Sequence, residues 1–321
     1  MNKKRKIIMD VDTGTDDAIA IMLACLSEEL DILGICTVNG NRSVEITTEN
    51  TLRVLDFLKK DIPVFKGCRL PYASTLIKGR RDGIPIYEQG EKSDNIHRDY
   101  LDLPKAKTQE KPMNAVSWLV ETLMGSEEKI TLVPVGPLTN IATALRIEPE
   151  IAEKVQEIMI MGGAYEEGNV TPYAEFNFWV DPEAAKIVLD SGCRITLVPL
   201  DATHTGTISE GVIHEMEKLD TEAGKIAAGI ILERLEGFRR LYTPDTYTVP
   251  VHDALAVAAL INPDVLEVVK KAHVDVDISG GDKDGMCICA FDDERRFNVS
   301  LALKGNSEEF AKVLLGKFSG I

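Results

Sequence analysis

The chain has 321 residues, of which 44% are hydrophobic, and its formal net charge is −16 at pH 7. This length and apolar share suffice for one large globular core. The negative charge argues against a nucleic-acid partner, because no basic surface is left to neutralise phosphates. No run approaches the roughly 18 apolar residues of a membrane span, and Asp10 and Asp12 interrupt the stretch after the basic leader where a signal peptide would be apolar. The six cysteines show neither zinc nor disulfide spacing, so we expect a cytoplasmic protein.

Short runs rich in Ile, Leu and Val alternate with helical patterns through the first half of the chain. "KIIMDVD" leads into "DDAIAIMLACLS", and "LDILGICTV" leads into "VEITTENTLRVLDFLKK". "IPVF", "KITLVPVG", "EIMIMGG" and "RITLVPLD" continue the same type of strand. The alternation predicts a single α/β domain over 1–321, with a mostly parallel central sheet flanked by helices. Ligands then bind at the carboxyl ends of the strands.

The remaining segments give a coarser prediction. Residues 66–112 form a long polar stretch that we interpret as a surface insertion or an active-site lid. Residues 209–261 have a helical pattern, and "GMCICAF" with "RRFNVSLAL" predicts an antiparallel hairpin. "SEEFAKVLLGKF" predicts a closing helix.

Four acids crowd the first strand-to-helix corner, "IIMDVDTGTDD", as Asp10, Asp12, Asp16 and Asp17. Helix capping alone explains one or two of them. Two carboxylates about 4 Å apart, however, repel by roughly 4 kcal/mol at an effective dielectric of 20. A helix N-terminus offsets only about 0.3–1 kcal/mol of this. A bound divalent cation with hard oxygen ligands, Ca²⁺ or Mg²⁺, therefore explains the corner better.

Three later segments carry similar polar groups. "VPVHDALAVAALI" places His252 and Asp253 at a helix start, where capping is the alternative to a functional role. "GNVTPYAEFNFWV" combines carboxamides with aromatic rings, which suits a sugar or a nucleoside but also suits a loop that fills core gaps. "VPVGPLTNIATAL" starts a helix at a Gly-Pro break and leaves the Val135 carbonyl at the strand end, available to a metal.

Together these segments resemble the inosine-uridine-preferring nucleoside hydrolase family. The D-x-D-x-G-x-D-D opening of the family matches residues 10–17, and its G-P-L-T-N segment matches 136–140. Its M-G-G, G-N-x-T-P-x-A-E-F-N and H-D segments match 161–163, 168–177 and 252–253 in the same order. The resemblance thus extends from Asp10 to Asp253.

The resemblance implies hydrolysis of the N-glycosidic bond of ribonucleosides to ribose and a free base, as in nucleoside salvage. It implies a Ca²⁺ ion, with a calcium-bound water activated by Asp12 as general base and with His252 as the candidate acid for the leaving base. The implied calcium ligands are Asp12, Asp17, the Val135 carbonyl and Asp253, and Asp10 supports them. The implied substrate-binding residues are Asp16, Asn41, Met161, Asn169, Glu175, Phe176 and Asn177. Homodimers or homotetramers are usual in the family.

One family segment, I-H-G-x-x-G-L, is poorly matched. "NIHRDYLDLP" makes His97 the corresponding substrate-binding residue, but Arg98 replaces a glycine. Arg239, Tyr242 and Tyr247 are further candidates for contacts with the base. The preference for purine or pyrimidine stays open at this point.

Two other interpretations remain. "IIMDVDTGT" also resembles the D-x-D-x-T start of haloacid dehalogenase-like phosphatases, in which the first aspartate is a nucleophile, and "GGDKDG" at 280–285 resembles their later acidic motif. That reading leaves Asp16, Asp17 and the H-D pair unexplained. A non-enzymatic nucleoside- or sugar-binding protein is the second alternative.

Overall fold

The structure is a computed structural model, and it describes residues 3–77, 80, 99–241, 243–292 and 296–320. The strands of the main sheet are β1 (Arg5–Val11), β2 (Leu30–Thr37), β3 (Val64–Lys66), β4 (Ile130–Pro134), β5 (Val155–Met161), β6 (Ile195–Val198), β9 (Leu266–Val276), β10 (Cys287–Ala290) and β11 (Val299–Gly305), and a small second sheet pairs β7 (Thr207–Ser209) with β8 (Thr248–Pro250). The helices are α1 (Thr15–Leu26), α2 (Val44–Leu58), α3 (Ala115–Gly125), α4 (Thr139–Ile147), α5 (Ile151–Lys154), α6 (Phe176–Val180), α7 (Pro182–Leu189), α8 (Leu200–Thr203), α9 (Glu210–Glu217), α10 (Glu222–Leu241), α11 (His252–Ile261) and α12 (Ser307–Phe318).

The main sheet has the order β10-β9-β11-β6-β5-β4-β1-β2-β3 among the described residues. Strands β1 to β6 pair in parallel, and β11 continues that direction beside β6. Among the described strands of this sheet only β9 runs in the opposite direction, and it pairs antiparallel with both β10 and β11. The predicted α/β fold with a mostly parallel sheet is therefore confirmed.

The predicted hairpin of "GMCICAF" with "RRFNVSLAL" is wrong. Strand β9 lies between β10 and β11 and pairs antiparallel with both. Its sequence, "LEVVKKAHVDV", has charged residues in its middle, so the apolar pattern did not predict a strand there. The helical prediction for 209–261 holds for α9, α10 and α11, but β8 interrupts it.

Helices cover both faces of the sheet because the strands are apolar on both sides. Along β1, Ile7 and Met9 pack into the core beneath α1, α10, α11 and α12, whereas Ile8 packs into the core beneath α3, α4 and α7. Successive strand residues point to opposite faces, which explains this division. Helix α1 packs against α2, α10 and α11, and its residues 15–25 are all buried. The two aspartates in its first turn are therefore inside the protein.

None of the helices in the described ranges combines the length and the apolar character that a bilayer crossing requires.

Candidate active site

The polar strand ends meet at the carboxyl edge of four neighbouring strands, β2, β1, β4 and β5. Asp12 follows β1, Asn41 follows the end of β2, Val135 follows β4, and Met161 ends β5. Because parallel strands end on the same edge, residues far apart in sequence become neighbours. Helix α11, which starts at His252, packs against α1 and brings the H-D pair to the same edge.

Three buried aspartates form the centre of this edge. Asp16, Asp17 and Asp253 each offer a carboxylate oxygen, and these oxygens lie within 4.8 Å of one another. Asp12 is also buried, and its carboxyl group interacts with that of Asp17. The structure thus brings together the three predicted calcium-binding carboxylates and adds Asp16 beside them.

The helix start positions Asp17 through its backbone contacts. Gly14 precedes the helix, and its N–H donates to Asp17 Oδ2 at 2.9 Å, while the Asp12 N–H donates to Asp17 Oδ1 at 3.1 Å. Asn41 Nδ2 also donates to Asp17 Oδ2, at 3.3 Å. Asp17 therefore caps the helix start as well as contributing to the acidic cluster, so the capping interpretation holds for this residue without excluding a metal.

Asp12 is held by the loop after β2. The Asn41 N–H donates to Asp12 Oδ2 at 2.6 Å, and Asn41 Nδ2 donates to the Asp12 carbonyl at 3.2 Å. Two glycines permit this close approach: a Cβ atom at Gly40 would lie 1.9 Å from Asp12 Oδ2, and one at Gly136 would lie 2.7 Å from Asp12 Oδ1. Any side chain at either position would displace the Asp12 carboxylate.

Burial and mutual repulsion raise the pKa values of this cluster. Burial, and then the neighbouring Asp16, raises the pKa of Asp17 to about 7. Burial and the negative charges of the neighbouring aspartates also hold the pKa values of Asp12 and Asp253 well above their usual range. Carboxyl groups that are hard to ionise alone are readily ionised beside a cation, because opposite charge favours the ionised form. Their all-oxygen donor set suits Ca²⁺ or Mg²⁺, and the fit is therefore that of a hard divalent cation.

Two predicted residues line this site from β4 and α6. Asn177 Nδ2 donates to the Val135 carbonyl at 2.9 Å and to the Met161 carbonyl at 3.1 Å. A carbonyl oxygen has two lone pairs, so the Val135 carbonyl retains acceptor capacity for a cation. Asn177 therefore connects the strand ends of β4 and β5.

The other predicted sugar-binding residues of segment 168–177 make local hydrogen bonds. Glu175 is the N-cap of α6 and accepts from the N–H groups of Gly163, Asn177 and Phe178. Its burial raises its pKa to about 7. Asn169 is exposed and accepts from the Phe176 N–H at 3.0 Å. The predicted sugar contacts of Asn169, Glu175 and Phe176 stay predictions.

Asp10 lies behind the cluster. Its Oδ1 accepts from Asn140 Nδ2 at 2.8 Å, and burial raises its pKa to about 8. The same Asn140 amide donates to the Thr37 carbonyl and accepts from the Cys68 N–H. The asparagine of the G-P-L-T-N segment thereby connects Asp10, near the end of β1, with the end of β2, and the supporting role of Asp10 stays a prediction.

His252 is buried at the start of α11. Its Nδ1 lies 2.7 Å from Thr203 Oγ1, and its ring centroid lies 5.6 Å from that of His204. The Thr203 hydroxyl also lies 3.2 Å from the Leu200 carbonyl, and which partner donates in its contact with His252 Nδ1 depends on the imidazole tautomer. Thr203 and His204 belong to the strand-end segment "PLDATH", to which the sequence assigned no particular role.

Sequence reasoning also missed Arg234. Its guanidinium Nη2 lies 3.0 Å from Asp16 Oδ2, inside the protein. The pattern of α10 gave no sign of this, because an arginine in an amphipathic helix is usually exposed. The predicted Arg239 instead pairs with Glu210 and Glu236, and Tyr247 is 67% exposed. The predicted His97 and Tyr242 lie outside the described residues.

The motif "GGDKDG" has a structural use. Asp284 is buried and accepts from Arg80 Nε at 2.6 Å and Nη2 at 2.8 Å. Arg80 also pairs with Glu183 at the start of α7. The Asp284 carboxylate therefore serves an ion pair that holds this turn.

Comparisons with known proteins agree with this site. The sequence profile described as "Inosine-uridine preferring nucleoside hydrolase" matches residues 7–312. The pyrimidine-specific ribonucleoside hydrolase RihB of Escherichia coli (strain K12) is 40% identical over 294 residues, which cover 89% of this chain and 88% of RihB. The solved structure of a plant nucleoside hydrolase, the PpNRh1 enzyme, superposes with a TM-score of 0.87 at 27% identity and covers 99% of both chains. That of the purine-preferring ribonucleoside hydrolase from Gardnerella vaginalis also has a TM-score of 0.87, at 26% identity over 98% of both chains.

The phosphatase alternative is wrong, since the match to a different family extends over nearly the whole chain. The predicted resemblance is confirmed by sequence and by fold. The chain therefore belongs to the inosine-uridine preferring nucleoside hydrolase family and is a ribonucleoside hydrolase.

Proposed function

We propose that this ribonucleoside hydrolase binds one Ca²⁺ ion with Asp12, Asp17, Asp253 and the Val135 carbonyl, and that Asp12 is its general base. The observation that supports the proposal is the buried acidic cluster, in which three carboxylate oxygens lie within 4.8 Å of one another. Repulsion at this distance amounts to roughly 3.5 kcal/mol per ionised pair at an effective dielectric of 20. A bound cation would compensate the repulsion that protonation and the ion pair of Arg234 with Asp16 leave. When bound, the ion supplies positive charge that orders the ribose hydroxyls and raises the acidity of water in the site.

Asp12 suits the role of base through its position and its environment. It stands at the end of β1, and the Asn41 N–H fixes one of its carboxylate oxygens at 2.6 Å. Burial and its neighbours raise its pKa in the ion-free protein, whereas a bound cation would favour the ionised carboxylate, which is the form that accepts a proton. Asp12 then removes a proton from the water that attacks the anomeric carbon of the ribose.

Cleavage of the N-glycosidic bond passes through a ribosyl group with oxocarbenium character. We propose that the Asp16 carboxylate, which belongs to the cluster, and the Asn177 side chain stabilise the developing positive charge on the sugar. We propose that Asp16, Asn41 and Asn177 bind the 2′- and 3′-hydroxyls, that Asn169 and Glu175 reach the 5′ end, and that Met161 and Phe176 contact the sugar ring. His97 remains a candidate on the base side.

The departing base requires a proton or a hydrogen bond, and we assign this role to His252. Its Nδ1 contacts Thr203 Oγ1, so we assign the transfer to Nε2: the protonated imidazolium gives its Nε2 proton to the departing base and becomes neutral. The buried contact with Thr203 fixes the ring orientation, which a proton donor in a defined site needs.

The 40% identity to pyrimidine-specific RihB favours pyrimidine ribonucleosides as substrates. Such a reaction serves nucleoside salvage, and the negative charge and free cysteines are in keeping with the cytoplasm. We propose a homodimer or homotetramer by analogy with the family.

The test is a panel of purine and pyrimidine ribonucleosides with an assay for released ribose, run with and without a chelator. We expect uridine or cytidine to be cleaved best, and we expect the chelator to abolish ribose release and excess Ca²⁺ to restore it. Full activity in the chelator would refute the metal-dependent mechanism. Tight ribose binding without turnover would instead support the binding-protein alternative.

A further inference from the structure

A buried arginine joins the acidic cluster to two other segments. Arg234 is 3% exposed, and each nitrogen of its guanidinium group has a separate partner. Nε donates to the Pro250 carbonyl at 2.7 Å, Nη1 donates to Thr15 Oγ1 at 3.1 Å, and Nη2 lies 3.0 Å from Asp16 Oδ2. Arg234 therefore connects α10 with the start of α1 and with the end of β8, two residues before His252.

Placing a protein cation beside a cation site is costly in two ways. Removing the guanidinium from water carries a desolvation penalty, which only good hydrogen-bond geometry offsets. Its positive charge also opposes the binding of a metal ion by the neighbouring carboxylates. An acidic cluster that served the ion alone would therefore bind it more tightly without Arg234.

The contact selects one acid from the cluster. The ion pair of Arg234 is with Asp16, whereas Asp17 is held by the N–H groups of Gly14 and Asp12. Asp16 nevertheless lies in the same 4.8 Å group of oxygens as Asp17 and Asp253. By distance alone, Asp16 is as good a metal ligand as its neighbours. Another contact must therefore determine which of these acids bind the ion and which bind the sugar.

We propose that Arg234 is a positioning residue that holds Asp16 as a ligand for the sugar and keeps it out of the coordination of the ion. This inference rests on the proposed function, because it requires a cation at the cluster and a ribose beside it. A guanidinium fork performs this task, since it directs donors to Asp16, Thr15 and Pro250 at once from one planar group. A lysine ammonium carries the charge but lacks this fixed geometry.

The proposal predicts opposite changes in two affinities. In Arg234→Met, the cluster loses a competing positive charge and Asp16 becomes available to the metal, so Ca²⁺ should bind about tenfold more tightly. Ribose should bind to the calcium-loaded protein at least tenfold more weakly, and KM for the ribonucleoside should rise more than kcat falls. An arginine that only stabilised the fold would weaken both affinities together.

The experiment uses the full-length chain and measures Ca²⁺ binding to the chelator-stripped protein and ribose binding to the calcium-loaded protein, both by calorimetry. Arg234→Lys keeps the charge and tests the fork: Ca²⁺ affinity should stay near that of the wild type while ribose affinity falls. It also carries the test if Arg234→Met does not fold. Arg53→Met is the matched control, because Arg53 likewise bridges Glu49 and two backbone carbonyls, on α2, and should change neither affinity.

A double variant shows whether Arg234 acts through Asp16. In an Asp16→Asn background, Arg234→Met should weaken ribose binding by less than twofold further. Equal losses of Ca²⁺ and ribose affinity in Arg234→Met, or a full additional loss in the double variant, would overturn the inference. Failure of the wild type to bind Ca²⁺ would overturn both the inference and the proposed function, whereas normal ribose release with unchanged affinities in Arg234→Met would overturn the inference alone.

Discussion

Replacing Asp253 by asparagine should make the ion-free protein more stable than the wild type and the protein in calcium less stable than the wild type. Asp253 is 3% exposed, and asparagine has nearly the same shape as aspartate, so the substitution changes the packing little. Its carboxylate lies in the group of oxygens within 4.8 Å that also contains those of Asp16 and Asp17. Asp253→Asn therefore removes repulsion from the ion-free protein and a ligand from the calcium-loaded protein.

The magnitude follows from that distance. Each ionised pair at 4.8 Å repels by roughly 3.5 kcal/mol at an effective dielectric of 20. Part of this is already relieved at pH 7, because the raised pKa values leave some of the cluster protonated. We therefore expect Asp253→Asn to raise the free energy of unfolding of the ion-free protein by about 1–3 kcal/mol. For a chain of this length that corresponds to a rise in Tm of roughly 2–5 °C.

The assay is thermal unfolding of both proteins in chelator and in millimolar Ca²⁺. The wild type should gain about 3–4 kcal/mol if calcium exceeds its Kd several-hundred-fold, and the variant should gain much less. The order of the two Tm values should therefore invert between the two buffers. Asp284→Asn is the control, because it leaves Arg80 without its buried partner and should lower Tm equally in both buffers. A lower Tm for Asp253→Asn in chelator would refute the argument that these acids repel one another in the absence of an ion.

Three further results are expected. Asp12→Asn should reduce ribose release at least 10³-fold, because it removes the base and a metal ligand together, and near-normal kcat would refute the assignment. The raised pKa values of Asp17 and Asp10, about 7 and about 8, mean that the ion-free folded state binds more protons than the unfolded state above about pH 4. Its stability should therefore fall as pH rises from about 4 to 8, whereas Ca²⁺ affinity should rise and binding should release protons, measured as a buffer-dependent enthalpy; a pH-independent affinity would contradict this. Asn140→Ala should lower the free energy of unfolding in denaturant by about 2–4 kcal/mol, because it leaves buried groups unpaired. The control Asn306→Ala, which removes a helix cap, should lower it by about 1 kcal/mol. Equal losses would show that the buried hydrogen bonds of Asn140 contribute no more to stability than a helix cap.

The sequence was sufficient for those parts of the fold that depend on local pattern. The apolar strands and the helix starts predicted β1 to β6 and α1, and the parallel sheet then placed their polar ends on one edge. It failed at β9, whose central lysines and exposed residues lack the apolar pattern of the other strands. Strand β9 lies between β10 and β11, so its conformation depends on pairing with these neighbours more than on its own composition.

In the candidate site, too, the residues that form a local sequence pattern were predicted, whereas those that only the fold brings together were not. The crowding of Asp10, Asp12, Asp16 and Asp17 in the sequence indicated the acidic site, and the packing of α11 on α1 brings Asp253 to it. Arg234 could not be predicted, because its partners Thr15 and Pro250 are distant in sequence and only the fold brings them to one guanidinium. Glu175 was assigned to the sugar from the family resemblance, and this contact stays a prediction; the structure adds that its carboxylate accepts three backbone N–H groups, which the sequence did not indicate.

The most direct test of the calcium-dependent mechanism is a titration of chelator-stripped protein with Ca²⁺, in which bound ion and ribose release from a ribonucleoside are measured on the same samples. The account predicts no ribose release without the ion, and recovery that rises in proportion to bound calcium and saturates at about one ion per chain. Ribose release at the full rate by ion-free protein, or recovery that continues beyond one bound ion, would contradict it.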